Sequence, residues 1–124
     1  MKLLIAGSRS ITSFDLSKYV PSDVDTVISG GARGIDSLAE QYADLHRLSK
    51  YIIRPRYDLY GRTAPLIRNE QMVEMADAVL IIWDGYSRGT QYTLNYTKKM
   101  NKPISLIEFD GAARLQQWGS LYGF

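Results

Sequence analysis

Three short turns that combine glycine with arginine are the part of this sequence best suited to chemistry. In the segment TVISGGARGID, a β-branched strand pattern leads directly into Gly30, Gly31, Arg33 and Gly34, and a helix pattern follows at once. Glycines at such a junction leave backbone N–H groups uncovered, and an arginine adds a guanidinium that can hold a phosphate through two hydrogen bonds. We therefore predict a phosphate-binding turn here.

Two other turns have the same composition. One is Gly7-Ser8-Arg9-Ser10, near the start, and the other is Gly85-Tyr86-Ser87-Arg88-Gly89-Thr90. A single glycine-rich turn often marks only a tight connection, whereas three turns that each carry an arginine indicate a shared site for an anion.

The elements that would position these turns follow from the hydrophobic pattern. Five short runs that are apolar on both faces predict buried parallel strands, at residues 3–6, 26–29, 51–53, 78–82 and 104–107. Amphipathic stretches at residues 35–45, 65–76 and 90–100 predict helices between them. The alternation predicts a single-domain α/β fold, a Rossmann-like three-layer sandwich with a mainly parallel five-stranded sheet.

This map concentrates guanidinium groups at one edge of the sheet. Seven of the nine arginines follow strand ends or begin the next helix: Arg9, Arg33, Arg54, Arg56, Arg62, Arg68 and Arg88. The six lysines fall toward the opposite edge. Ligands of such sheets bind at the carboxyl ends of the strands, where the strand order reverses. The segregation therefore predicts an anionic ligand at that edge.

Composition excludes several other classes of protein. With 124 residues, 45% of them hydrophobic, the chain is expected to form one domain with a substantial core. It has no cysteine and one histidine, so we expect no disulfide and no metal site, and we also expect no cofactor. No apolar run exceeds six residues, which predicts no membrane span, no signal peptide and a soluble cytoplasmic protein.

Four segments together resemble the SLOG superfamily, which includes DNA-processing protein A, the "lonely guy" cytokinin-activating enzymes and the YspA-like proteins. The segments are GSRSI, ISGGARGIDSLAEQYA, APLIRNEQMVEMADAVLII and SRGTQYTLNYTKKMNKPI, and they lie within residues 1–107. The resemblance implies that residues 1–107 form a Rossmann-like nucleotide-binding domain, with the phosphate on the Gly30-Gly31 and Gly89-Thr90 turns.

The turns and the resemblance together predict a ligand-binding set. Its members are Gly7, Ser8, Arg9, Gly30, Gly31, Arg33, Gly34, Arg68, Asn69, Ser87, Gly89 and Thr90. Arg68 and Asn69 would hold the phosphate or the sugar. Asp36, in the first turn of its helix, would complement the helix dipole or accept ribose hydroxyls, because its charge would repel a phosphate. The expected role is that of a sensor or carrier of a nucleotide or nucleotide derivative.

An enzymatic alternative comes from the lonely-guy proteins, which cleave the base from a nucleoside monophosphate. They use an arginine, matched here by Arg68, and a glutamate whose position is taken by Thr93. A carboxylate can stabilise the oxocarbenium-like transition state or activate water, and a threonine cannot ionise to do either. A nucleotide N-glycosidase would therefore need altered residues, and the candidates are Arg68, Asp36, Asp84 and Glu70.

A second alternative is binding of single-stranded DNA, because SGGARGID and the Arg-Asn pair at Arg68 and Asn69 resemble DNA-processing protein A. Tyrosines among the loop arginines, Tyr57, Tyr60 and Tyr86, would supply stacking surfaces for bases.

The last segment, residues 108–124, lacks clear periodicity but is rich in large apolar side chains. We expect this tail to pack on the edge of its own sheet or on a partner subunit, and we favour a homodimer.

Overall fold

One six-stranded sheet organises the chain. The computed structural model describes residues 1–111 and, as backbone, residues 113–118. The strands are β1 (Lys2–Gly7), β2 (Thr26–Ser29), β3 (Ser49–Ile52), β4 (Ala78–Trp83), β5 (Ile104–Phe109) and β6 (Ala113–Trp118). Their spatial order is β3-β2-β1-β4-β5-β6. The first five strands pair in parallel, and β6 pairs antiparallel to β5.

Helices cover both faces of this sheet. They are α1 (Ile35–Leu45), α2 (Tyr57–Tyr60), α3 (Ala64–Met75) and α4 (Arg88–Lys99), with 3-10 turns at Leu16–Lys18 and Gly61–Thr63. α1 and the Leu16–Lys18 turn contribute to the core on one face, whereas α3 and α4 contribute to the core on the other.

The two cores follow from the pleat of the strands. In β1, Leu3 and Ile5 point to the α1 face, and Leu4 and Ala6 point to the face of α3 and α4. All four residues are buried, which accounts for the uninterrupted apolar run in the sequence. The predicted Rossmann-like α/β sandwich with a mainly parallel sheet is confirmed.

The sheet has one strand more than the five that were predicted. The extra strand, β6, arises from the segment 108–124, because β5 continues to Phe109 and the chain then returns along the free edge of β5. Residue 112 and residues 119–124 lie outside the described part of the chain. Within that part, no helix is long and apolar enough to cross a membrane.

The strand order reverses between β1 and β4, and this is where a crevice opens at the carboxyl edge. The end of β1 approaches its neighbours very closely. A Cβ atom on Gly7 would overlap the carbonyl oxygen of Ile82 and lie 2.7 Å from Cγ1 of Ile35. Ser8 continues the pairing, since its N–H donates to the carbonyl of Ile82 at 3.0 Å. Only glycine fits at position 7.

This close approach makes a testable difference between two glycines. Gly7→Ala should lower the free energy of unfolding by roughly 2 kcal/mol or more, because the added methyl group overlaps main-chain atoms that cannot rotate away. Gly89→Ala should be neutral or stabilising by up to about 1 kcal/mol, because Gly89 is helical and has no atom within 4 Å of the added methyl group. Urea unfolding of both variants measures the difference. Equal stabilities would contradict the close packing at β1.

Candidate functional site

The crevice above β1 and β4 brings the three glycine–arginine turns together. It encloses ≈ 510 Å³ between the beginnings of α1 and α4 and the side of α3. It is lined by eleven of the residues that the sequence singled out as candidates for binding or catalysis or as a motif position: Gly7, Arg9, Arg33, Asp36, Arg68, Asn69, Asp84, Ser87, Gly89, Thr90 and Thr93. Most of the predicted ligand-binding set therefore shares one cavity.

Arg68 forms the most buried charged part of this crevice. Its side chain is 7% exposed and reaches from α3 to the ends of β2 and β3. Nη1 donates to the carbonyl oxygen of Gly30 at 2.5 Å and to that of Ile53 at 3.3 Å, and Nε donates to Oδ1 of Asn69 at 2.8 Å. Within the described residues, Nη2 forms no hydrogen bond, so one arm of the fork is left for a ligand.

Burial lowers the pKa of Arg68, the nearby charge of Arg9 lowers it further, and the Asp36 carboxylate opposes both effects. The ordinary pKa of arginine is so high that the guanidinium stays charged at neutral pH. The crevice therefore holds a fixed, partly desolvated cation.

Gly30 is required by this arrangement rather than by the crevice itself. A Cβ atom there would lie 2.9 Å from Nη1 of Arg68 and 2.9 Å from Oδ2 of Asp36. The missing side chain thus leaves room for a guanidinium and a carboxylate to pack against the end of β2.

Asp36 is a buried carboxylate at the start of α1, 8% exposed. Oδ2 accepts the N–H of Ala32 at 3.2 Å, and no described residue donates to Oδ1. Burial raises the pKa of Asp36, while the bond from Ala32 and the charge of Arg68 oppose the rise. Of the candidate catalytic carboxylates, Asp36 is the one that lines the crevice with an oxygen left over.

Asp84 also lines the crevice, but both of its oxygens are occupied. Oδ1 accepts the N–H groups of Tyr86 at 2.8 Å and Ser87 at 2.9 Å, and Oδ2 accepts the hydroxyl of Ser10 at 2.8 Å. Burial would raise the pKa of Asp84, yet these hydrogen bonds outweigh burial and hold the pKa below its ordinary value. Asp84 therefore orders the turn before α4 and offers no free oxygen for catalysis.

The beginning of α4 is the most open feature of the crevice. The hydroxyl of its N-cap residue, Ser87, makes no capping bond and instead lies 3.1 Å from the hydroxyl of Thr90. Within the described residues, no acceptor meets the N–H groups of Gly89 and Thr90. The first turn of α4 has no acidic residue, whereas the first turn of α1 carries Asp36. Unlike the dipole of α1, the dipole of α4 is thus uncompensated.

Arg9 and Arg33 stand at the mouth of the crevice. Both side chains are exposed, and neither forms a hydrogen bond or ion pair within residues 1–111. Two other arginines of the rim, Arg54 and Arg56, are already engaged. Arg54 donates to the carbonyl of Gly31 at 3.3 Å, and Arg56 pairs with the exposed carboxylate of Asp58.

Five of the predicted site residues do not line the crevice: Ser8, Gly30, Gly31, Gly34 and Glu70. Ser8 is fully buried, and its hydroxyl accepts the N–H of Asp84 at 2.9 Å. The guanidinium of Arg54 covers Gly31.

Gly34 has a positive φ of 74° and packs on the chain at Ser8 and Arg9, where a Cβ atom would come within 2.5 Å of the Ser8 carbonyl oxygen. Glu70 turns to α4 and accepts the hydroxyl of Tyr92. These residues build the walls of the crevice instead of facing a ligand.

Six further residues line the crevice but are outside the predicted ligand-binding set: Ala6, Ser10, Ala32, Pro65, Leu66 and Met72. One face of α3 lines the crevice. It carries residues at helical spacings of three and four: Pro65, the predicted Arg68 and Asn69, and Met72. Thr93 follows Gly89 by one turn in α4 and is placed in the crevice by the same spacing. Its buried hydroxyl donates to the Gly89 carbonyl at 3.1 Å.

The fold and the crevice define the class: a Rossmann-like α/β domain with a cavity at the point where the strand order reverses. No family model matches the chain, and no solved structure matches it. The chain is 31% identical over 84 residues to "Gene 61 protein" of Mycobacterium phage D29, an alignment that covers 63% of this chain and 67% of the relative. The chain belongs to the family of that protein, whose name states no activity.

Burial of Asp36 predicts a pH-dependent stability. A carboxyl whose pKa is raised on folding stabilises the folded state while it is protonated, and this contribution is lost as the pH rises through the folded-state pKa. Asp36→Asn keeps an acceptor for the Ala32 N–H without the charge. We expect this variant to be more stable than the wild type at about pH 7, with a difference that shrinks toward about pH 4.

Urea unfolding across this pH range measures the effect. Asp23→Asn, at an exposed position before β2, removes the same charge at the opposite edge and serves as the control. An Asp36→Asn variant that is less stable at neutral pH, or a stability difference that does not change with pH, would contradict the assignment.

Proposed function

We propose that the chain binds a phosphate-bearing nucleotide or nucleotide derivative in the crevice, as a sensor or carrier. The observation that carries the proposal is the uncapped start of α4, which lines the same crevice as the exposed Arg9 and Arg33. Free N–H groups at a helix N-terminus, together with unpaired guanidinium groups, favour a phosphate.

The shape of the crevice supports this position for the phosphate. Gly89 has no atom within 4 Å of the place where a Cβ would be, so no neighbouring side chain packs on that side of the turn. At the other predicted phosphate turn, the guanidinium of Arg54 covers Gly31, and the carboxylate of Asp36 lies close to Gly30. The phosphate is therefore assigned to the Gly89-Thr90 turn alone.

The charges of the crevice also favour an anion. Three guanidinium groups, those of Arg9, Arg33 and Arg68, face two carboxylates, those of Asp36 and Asp84. The charge of Asp84 is already compensated by three donors in the protein. The α4 dipole adds partial positive charge to the same crevice.

The resemblance to the SLOG superfamily supports a nucleotide as the ligand. A cytoplasmic location, a homodimer and binding of single-stranded DNA through Tyr57, Tyr60 and Tyr86 stay predictions.

A second candidate function is a nucleotide N-glycosidase, and Asp36 is the observation that favours it. A buried carboxyl with a raised pKa beside an arginine is a chemically competent general acid or base. Thr93, at the position of the motif glutamate, cannot take this role because it has no ionisable group and its hydroxyl is bonded to Gly89.

The binding proposal is tested by calorimetry with nucleoside 5′-monophosphates. Arg9→Ala and Arg33→Ala should each weaken binding roughly 10-fold or more, because each removes a charged hydrogen-bond donor. Both variants should also make the affinity less sensitive to salt. Gly89→Val should weaken binding by steric exclusion and leave the salt dependence unchanged.

Arg62→Ala is the matched control, because Arg62 is an exposed arginine that does not line the crevice. Circular dichroism confirms that each variant is folded. Wild-type affinity in the Arg9, Arg33 and Gly89 variants would refute the assignment of the phosphate to α4.

For the enzymatic alternative, we expect no release of free base from adenosine or guanosine monophosphate above the uncatalysed background. The reason is that Thr93 stands at the position of the glutamate that the lonely-guy enzymes use to cleave the base from the nucleotide. Chromatography of the reaction mixture detects the base. Turnover that is lost in Asp36→Asn would instead establish a hydrolase that uses Asp36.

A further inference from the structure

We propose that Asp36 recognises the ribose hydroxyls of the ligand, so that the crevice selects ribonucleoside 5′-phosphates over their 2′-deoxy counterparts. This inference rests on the proposed nucleotide-binding function and specifies its ligand class. It adds a specificity role to the position that Asp36 holds in the first turn of α1.

The geometry of Asp36 leaves an unused acceptor in a desolvated place. The side chain is 92% buried, since only 8% is exposed, and it lines the crevice. One oxygen is bonded to the N–H of Ala32, and the other has no donor in the described part of the chain. This oxygen is not fully enclosed and can be reached from the crevice, and a hydrogen bond to a charged acceptor is stronger than one between neutral groups, so a ligand donor placed there would contribute strongly to binding.

The groups around Asp36 restrict which donor fits. Arg68 from α3 and Arg9 from the turn after β1 interact electrostatically with the carboxylate, and Glu40 approaches it along α1. The two guanidinium groups disfavour an ammonium group, and the carboxylate itself disfavours a phosphate. Neutral donors remain, and among those of a nucleotide the two adjacent ribose hydroxyls can both donate to one carboxylate.

The two ends of the crevice orient the ligand. α4 offers free N–H groups with no acid in its first turn, whereas α1 offers Asp36. A phosphate at Gly89 and a sugar at Asp36 place the ligand across the end of β1. A 5′-phosphate leaves the 2′- and 3′-hydroxyls free for Asp36, and a 3′-phosphate does not.

The test compares the four ribonucleoside 5′-monophosphates with their 2′-deoxy forms by calorimetry. The wild type should prefer the ribose form of the base it binds best by roughly 10-fold or more, the range of a hydrogen bond to a charged group. Asp36→Asn should lose most of this preference, chiefly through weaker ribonucleotide binding. Its single amide oxygen is used by Ala32, and its NH₂ group cannot accept a hydroxyl.

Asp23→Asn again controls for the loss of charge and should keep the preference. Equal affinity of the wild type for ribose and deoxyribose forms would overturn this inference while leaving the proposed function standing. A preference that persists in Asp36→Asn would overturn it as well. If no nucleoside monophosphate binds the wild type, the proposed function fails and this inference fails with it.

Discussion

The burial of the Arg68 guanidinium at the end of β2 is the interaction on which the rest of the crevice depends. A buried cation must be surrounded by acceptors, and Arg68 obtains them from the carbonyls of Gly30 and Ile53 and from Asn69. These contacts dock α3 against the ends of β2 and β3. They also require glycine at position 30 and place a positive charge beside Asp36, whose carboxylate would otherwise be still less favourable in its charged form.

The crevice that results has two chemically different ends. Near α4, uncapped N–H groups favour an anion, and the exposed Arg9 and Arg33 add positive charge to the mouth of the same crevice. Near α1, the dipole is already complemented by Asp36, and the free carboxylate oxygen favours a hydroxyl donor. Gly7 makes this separation possible, because the tight contact of β1 with Ile82 and Ile35 sets the floor between the two helix ends. A nucleotide has matching ends, a phosphate and a sugar.

Much of the fold could be predicted from the sequence because its signals are local. The pattern at residues 26–29 predicts β2 with the bounds that the structure has, and the apolar period from Ile35 predicts α1. β6 could not be predicted in this way, because the segment 108–124 has no clear period and its strand exists through pairing with β5. Such a strand forms because the folded sheet offers the unpaired edge of β5, and its own residues carry no separate strand signal.

The crevice was only partly predictable from the sequence, because it depends on contacts between residues that are far apart in the chain. Gly30 and Gly31 follow a strand and precede a helix, which is the pattern of a phosphate turn, yet side chains far along the chain, Arg68 and Arg54, lie against them. Similarly, Glu70 is a candidate catalytic residue from the sequence, but in the structure it accepts the hydroxyl of Tyr92 instead of lining the crevice. This contact depends on how α3 packs against α4. Tyr92 contacts Glu70, and Tyr96 contacts Glu74. Both the two glutamates of α3 and the two tyrosines of α4 are four residues apart, so each pair lies on one face of its helix. This matching spacing could have indicated that the two helices pack against each other.

A crystal structure of the protein grown with a ribonucleoside 5′-monophosphate tests the central claim most directly. We expect phosphate oxygens about 2.7–3.2 Å from the N–H nitrogens of Gly89 and Thr90, with the ribose hydroxyls at the same range from Asp36. A phosphate bound instead at Gly30 and Gly31, with Arg54 displaced, would contradict the polarity assigned to the crevice.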